Sequence, residues 1–150
     1  DCGNMLQYQA GTNMIITHRG KWQVPAQTGP HVGQIANWNI KTSNAGGIPN
    51  STAESWIRYG IGLDEVQEVV QIACEFRLIK TAGAWYTIQC AVDEKDEPLI
   101  AELLKENEVG DKDEDIERFF KFQGVNNLTE FLNENSQVCD FIYEKIKELF

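Results

Sequence analysis

The feature that most constrains this chain is a change of rhythm at Gly60-Ile-Gly62. Before it the apolar residues fall in short extended runs, and after it they recur at helical spacing. Residues 5–17 (MLQYQAGTNMIIT) and 34–42 (QIANWNIKT) read as strands. In the second, Ile35, Trp38 and Ile40 are apolar with Asn37, Asn39 and Lys41 between them, although Ala36 blurs the start. Residues 19–33 (RGKWQVPAQTGPHVG) are rich in Gly and Pro and read as a loop. A second breaker cluster, SNAGGIPNS over 43–51, leads to a short strand from Glu54 to Tyr59. Strands before the glycines and helices after them divide the chain into two pieces, 1–62 and 63–150.

The second piece opens with a predicted helix from Asp64 to Ile79. Asp64 and Gln67 form a capping-box pattern, and Val66, Val69, Val70, Ala73 and Phe76 share one face. Lys80 suits the negative end of that helix, and Gly83 is expected to supply the left-handed turn that stops it. Residues 84–92 then read as a strand. Arg118 to Gln123 reads as its returning partner in a hairpin, so 93–118 become an insertion in the hairpin loop. Within the insertion Leu99, Ile100, Leu103 and Leu104 predict a short amphipathic helix. Two helices close the chain at about 125–134 and 137–149. Ser136 is placed as the cap of the last, and Val138, Phe141, Ile142, Ile146 and Leu149 form its apolar stripe.

Composition bounds the function. With 42% apolar and 10% aromatic residues in 150, the chain has the makings of a core rather than of a disordered tail. No apolar run approaches the roughly 20 residues that span a bilayer, and no secretory leader pattern opens the chain. A start at Asp1 without methionine is what a processed chain or a fragment would have. Cys2, Cys74, Cys90 and Cys139 form no C-x-x-C pair, and only His18 and His31 could join them. Zinc is therefore not expected, and the thiols read as reduced and mostly buried in a cytoplasmic protein.

Charge is divided unevenly. Residues 1–62 carry four bases and two acids, whereas 63–150 carry nine bases and 21 acids, a net −12. Twelve of those acids, against four bases, lie in 93–118. Such a balance repels nucleic acid, whose affinity comes mainly from Lys and Arg releasing counterions from phosphate. Composition taken alone thus argues against DNA binding.

Independent catalysis finds no support. The Gly20-Lys21 pair is followed by Trp22 and has no glycine five residues earlier, so it is not a phosphate-cradling P-loop. No G-x-G-x-x-G, G-x-S-x-G or H-E-x-x-H occurs. Cys2 and His18 could be a thiol and a base, but no orienting third group can be identified. The acids of 93–117 read as solvated charge.

Four blocks carry a resemblance. Thr81-Ala-Gly-Ala-Trp-Tyr86 is similar to the A-G-A-W-Y that enters a strand in the C-terminal domain of RecA-type recombinases. Upstream, Ala53-Glu-Ser-Trp-Ile-Arg-Tyr-Gly-Ile-Gly62 resembles that family's A-E-F-x-I-x-Y-G-x-G-I. Downstream, Gly124-Val-Asn-Asn-Leu-Thr-Glu-Phe-Leu132 resembles G-x-x-N-A-T-x-W-L, and Gly3-Asn-Met-Leu-Gln-Tyr-Gln-Ala10 resembles G-N-A-L-K-F-Y-A. The blocks stand in the family's order and cover nearly the whole chain.

The resemblance implies an α/β core remnant, the terminal β-strands of a RecA-like sheet, over 1–62, beginning at the tail of the second DNA-binding loop. A small α+β C-terminal domain follows over 63–150: helix, β-hairpin with the acidic insertion at 93–118, and two helices. Both Walker motifs would lie upstream. The intact protein would be a DNA-dependent ATPase using ATP and Mg, while this chain would hold no cofactor. Implied partners are single- and double-stranded DNA, the missing ATPase core, and like subunits in a filament, with no membrane. The insertion and the altered cations point to a divergent, phage-encoded member.

Residue by residue, the resemblance puts Asn4 and Gln7 near the primary DNA strand, and Arg19 and Lys21 close to a secondary DNA site. Lys41 falls near the lysines that reach a neighbouring subunit's nucleotide, although Thr42 and Asn44 take the aligned positions. In the second domain Arg77, Lys80 and Lys121 are the cations left to meet phosphate, since Thr81 and Val125 stand where lysine is usual. Their ordinary alternative is solvated charge. Trp85, Tyr86 and Phe131 read as hairpin-and-helix core, with base stacking as the alternative. The insertion is a candidate internal brake on duplex capture, its acids competing with phosphate. The rival function is an acidic protein-interaction module that does not touch DNA. Residues 1–62 are expected to need a partner, because a sheet cut from its first strands exposes an edge and an apolar face.

Overall fold

The computed structural model describes residues 10–24 and 28–149, so Cys2, Asn4 and Gln7 lie outside the described residues. The chain forms two compact units, residues 1–64 and 65–150.

The first unit is an antiparallel meander whose strands sit side by side in chain order: β1 (Thr12–Gln23), β2 (His31–Ser43), β3 (Thr52–Arg58) and β4 (Gly62–Leu63). The Gly/Pro-rich stretch expected to be a loop is much shorter than 19–33, because β1 runs on to Gln23 and β2 already begins at His31. Packing overrides the turn composition there. Trp22 is buried and pairs across the ladder with Gly33, whose neighbour in β3 is Arg58. A Cβ on Gly33 would sit 2.2 Å from the Ile57 carbonyl oxygen and 2.8 Å from the Trp22 ring. This glycine therefore serves close approach within a strand rather than a turn. The Arg58 guanidinium lies 4.7 Å from the Trp22 ring centroid, and its Nη2 reaches Asp64 Oδ2 at 2.9 Å.

Register corrects the alternation along β2. Trp38 pairs with Ile16 and Ala53, and Ala36 pairs with His18 and Ser55, so Ala36, Trp38 and Ile40 share one face. Ile35 belongs to the other face, in a row with Gly20 and Trp56. Both faces of this sheet are consequently apolar in part, and Met14, Ile15 and Ile16 of edge strand β1 are 45%, 43% and 57% exposed.

The second unit runs α1 (Glu65–Glu75), β5 (Ile79–Ala82), β6 (Trp85–Ile88), α2 (Gln89–Asp93), α3 (Pro98–Glu106), α4 (Asp113–Phe119), β7 (Lys121–Gln123), α5 (Val125–Glu134) and α6 (Ser136–Lys147). Its three strands form an antiparallel sheet in the order β5-β6-β7. Phe120, Ile79, Ile88, Ile100, Leu128, Leu132, Ile142 and Val138 are fully buried in one core. Phe131 completes a cluster with Phe119, Phe120 and Phe122, at 4.7 Å from the Phe122 ring.

Several elements differ from the sequence reading. Helix α1 stops at Glu75, four residues short of Ile79, because Arg77 adopts φ 61 and turns the chain into β5. Phe76 thus lies past the helix and is exposed. Gly83, with φ 62, is the first of two residues in the tight turn between β5 and β6, a place glycine occupies without strain; it does not end the helix. Strand β6 ends at Ile88, and Arg118 belongs to α4 rather than to a strand. Asn135, not Ser136, occupies the N-cap position of the last helix and makes no side-chain capping bond to it; its amide donates instead to the Phe131 carbonyl of α5, and Leu149 lies beyond the end of α6 and is exposed.

The acidic stretch is folded throughout much of its length. Helices α3 and α4 turn Ile100, Leu103, Leu104 and Ile116 into the common core and leave Glu102, Glu106, Glu114 and Glu117 exposed. It is a structural layer of the unit, not an appendage.

Candidate nucleic-acid interface

A sheet with one face on a core offers the other to solvent, and residue parity decides which side chains go where. In β5-β6-β7 the inward residues are Ile79, Ile88, Tyr86 and Phe122, all packed on or within the core. Two cross-strand rows remain outside: Lys80, Thr87 and Lys121 form one, and Ala82, Trp85 and Gln123 form the next. Lys80 and Lys121 are exposed, with Thr87 buried between them. Strand spacing puts the two lysine backbones about 10 Å apart.

Trp85 is the residue the sequence reading misplaced. It is 42% exposed rather than core, because its parity opposes that of Tyr86. Lys121 Nζ stands 5.8 Å from its ring centroid, near the outer limit of a cation–π contact. The flanking backbone is tied down. The Gly124 amide donates to the Ala84 carbonyl at 2.7 Å, and the Asn127 side chain donates to the Gln123 carbonyl at 2.8 Å. Gln123 likewise escaped sequence reasoning, and only the hairpin register could have found either residue.

The cations of this unit fall into two groups. Lys95 pairs with Asp113 at 2.5 Å, Lys145 with Glu94 at 2.8 Å and Lys147 with Glu144 at 2.6 Å. Hydrogen bonds to those carboxylates hold all three ammonium groups above the ordinary lysine range. Arg77, Lys80 and Lys121, like Lys105, Lys112 and Arg118 of the acidic stretch, have no carboxylate partner among the described residues. A phosphate approaching them meets charge that is not already neutralised.

In the first unit Arg19 is engaged by Glu54 in an ion pair. Lys21, in a row with Gln34 and Ile57, and Lys41, near the far end of β2, are exposed without a carboxylate partner among the described residues. Lys41 stands seven residues along β2 from Gln34, roughly 24 Å, so the sheet does not bring it together with Lys21.

Other sites are poor in the chemistry of phosphate recognition. A groove of about 530 Å³ between α1 and α6 is rimmed by Glu65, Glu68 and Asp140 and floored by Val69, Ile72 and Ile146, with no cation in its lining. Among the described residues no three His, Cys, Asp or Glu side chains converge to hold a metal ion. No described helix is long and apolar enough to cross a membrane.

Comparison with known proteins adds a similarity of sequence. Protein RecA of Thermotoga neapolitana is 29% identical over 119 residues, which cover 79% of this chain and 27% of that protein. Protein RecA of Thermotoga petrophila is 27% identical over 149 residues, 99% of this chain and 34% of the relative. The chain is thus similar to RecA proteins along most of its length. Protein RecA of Acinetobacter baumannii agrees, at 25% identity over 97% of the chain and 33% of its own length. The chain therefore spans about a third, or less, of the relatives it matches. No protein-family model matches it.

Proposed function

We propose that this chain is the C-terminal portion of a RecA-type recombinase, with the last strands of the ATPase core over 1–62 and the C-terminal domain over 63–150. It takes part in homologous recombination and DNA repair by contributing DNA binding and duplex capture during strand exchange. The intact protein is then a DNA-dependent ATPase of the cytoplasm that forms filaments with like subunits, its ATP and Mg held by the upstream core. The observation that carries the reading is the row of Lys80 and Lys121, free of carboxylate partners on an otherwise acidic unit, in a chain similar to RecA proteins along most of its length. The exposed apolar residues on both faces of the β1–β4 sheet support it too, since exposed apolar surface of that kind is ordinarily covered by a partner or by the rest of a domain.

The acidic layer fits the same reading as an internal brake on duplex capture. The second reading, an acidic protein-interaction module without DNA binding, is favoured by the exposed acids of α3 and α4 and the loops beside them. Duplex binding by the full chain, measured against salt, tests both. The recombinase reading expects affinity that falls as salt rises and weakens when Lys80 and Lys121 become glutamine. Absence of duplex binding even at low salt leaves the interaction-module reading instead.

A further inference from the structure

The outer sheet face holds more than phosphate-binding charge. An indole with 42% of its surface exposed is unusual beside two free lysines, because large aromatic groups normally bury most of their area. The residues around it are arranged unequally. On one side of Trp85 in its row stands Ala82, exposed and too small to cover the ring; on the other stands Gln123, whose amide both donates and accepts. The neighbouring row sets Lys80 and Lys121 two strands apart. Lys121 is the cation near the ring, yet at 5.8 Å it leaves a large part of the ring open to solvent.

We infer that Trp85 is a stacking platform for an unpaired nucleotide base, so that this face takes single-stranded DNA in addition to duplex. The inference rests on the DNA-binding reading above and gives it a substrate class at a named residue. A base inside a duplex has both faces covered by its neighbours and offers nothing to a flat indole. An unpaired base offers a free π face, and such stacking is indifferent to sequence. Lys80 and Lys121 then meet the phosphates on either side, and the Gln123 amide lies within the same row for the base edge. The inward half of the sheet, pinned by Ile79, Ile88 and Phe122, keeps the platform rigid. A rigid surface loses little on ordering when the strand arrives.

The test titrates the full chain with oligothymidylate and with a duplex of the same length, following tryptophan emission and affinity. It compares the native chain with Trp85→Phe, Trp85→Ala and the Lys80→Gln/Lys121→Gln pair. Single-stranded DNA should quench the emission of the native chain, and Trp85→Phe should remove most of that quench while retaining most of the affinity. Trp85→Ala should lower the ratio of single-strand to duplex affinity about tenfold or more. An unchanged ratio overturns the stacking platform, as does an equal loss for both DNA forms. If the lysine pair weakens duplex binding while Trp85→Ala moves nothing, stacking falls and the recombinase reading stands. If neither DNA form binds at low salt, both fall.

Discussion

Lys80 and Lys121 flank Thr87 in a single cross-strand row, one from each outer strand of the β5-β6-β7 sheet. Their side chains are exposed and their ammonium groups stand free of carboxylates among the described residues. If both displace counterions from a duplex, replacing each with glutamine should reduce the slope of log affinity against log salt by about 0.9. Arg19→Gln makes an informative contrast. Its guanidinium already pairs with Glu54, so its loss should change the slope less than either lysine does. Binding isotherms at four or five salt concentrations measure the slopes; equal effects for all three substitutions contradict the assignment.

The acidic layer permits a sharper separation of packing from charge than deletion would. Ile116 is buried in the common core, whereas Glu117 beside it on α4 is exposed. Ile116→Ala should cost about 2–4 kcal/mol in urea unfolding, through lost burial and the cavity left behind. Glu117→Gln should stay within about 0.5 kcal/mol. Neutralising Glu102, Glu106, Glu114 and Glu117 together should leave the fold intact and, if the layer restrains DNA binding, tighten duplex affinity several-fold at low salt. That gain should fade as salt shortens the reach of the charges. An affinity indifferent to all four substitutions dismisses the brake.

What the sequence made legible followed from periodicity. The helical spacing of Val66, Val69, Val70 and Ala73, and of Val138, Ile142 and Ile146, locates α1 and α6, since one face must meet the core. Where local preference competes with tertiary contact the reading slipped. Gly83 is as suitable for a helix stop as for a hairpin turn, and only the pairing of Ala82 with Trp85 decides between them. Arg77 has no sequence mark of its left-handed conformation. The lysines were recognisable by charge, but their alignment in one row, and the outward parity of Trp85, depend on a register that no single residue encodes.

Two glycines should respond to substitution for different reasons. At Gly33 a methyl group would collide with the Ile57 carbonyl and the Trp22 ring, neither of which can give way within the paired sheet. Gly33→Ala should destabilise by about 1–3 kcal/mol or more. At Gly83 there is open space, and the cost of alanine, about 1 kcal/mol, comes only from φ 62. Asparagine tolerates that conformation and should recover much of the loss at 83, but none at 33. Thermal unfolding of the two pairs of variants distinguishes steric from torsional strain.

The Cys90 thiol provides a pH-dependent measure of core integrity. Burial, with smaller contributions from Glu94 and Asp93, pushes it up to about 11 from an ordinary value of 9.0, while hydrogen bonds with nearby backbone oppose the shift. The folded state therefore keeps its proton where the unfolded chain has begun to lose it. Below pH 9 both states are protonated and the contribution to stability is fully present. As pH rises from about 9 to 11 the unfolded chain ionises first, so stability should fall, by about 3 kcal/mol, and level off above 11. Cys74, raised by burial and then by Glu75, adds a contribution of the same sign. Cys90→Ala should remove the larger part of this decline while leaving the remaining alkaline titrations in place. The difference between native and variant unfolding free energies, followed from pH 8 to 11.5, isolates the thiol. A difference that stays constant across that range would mean that Cys90 meets water in the folded state, and that the core it belongs to does not close over it.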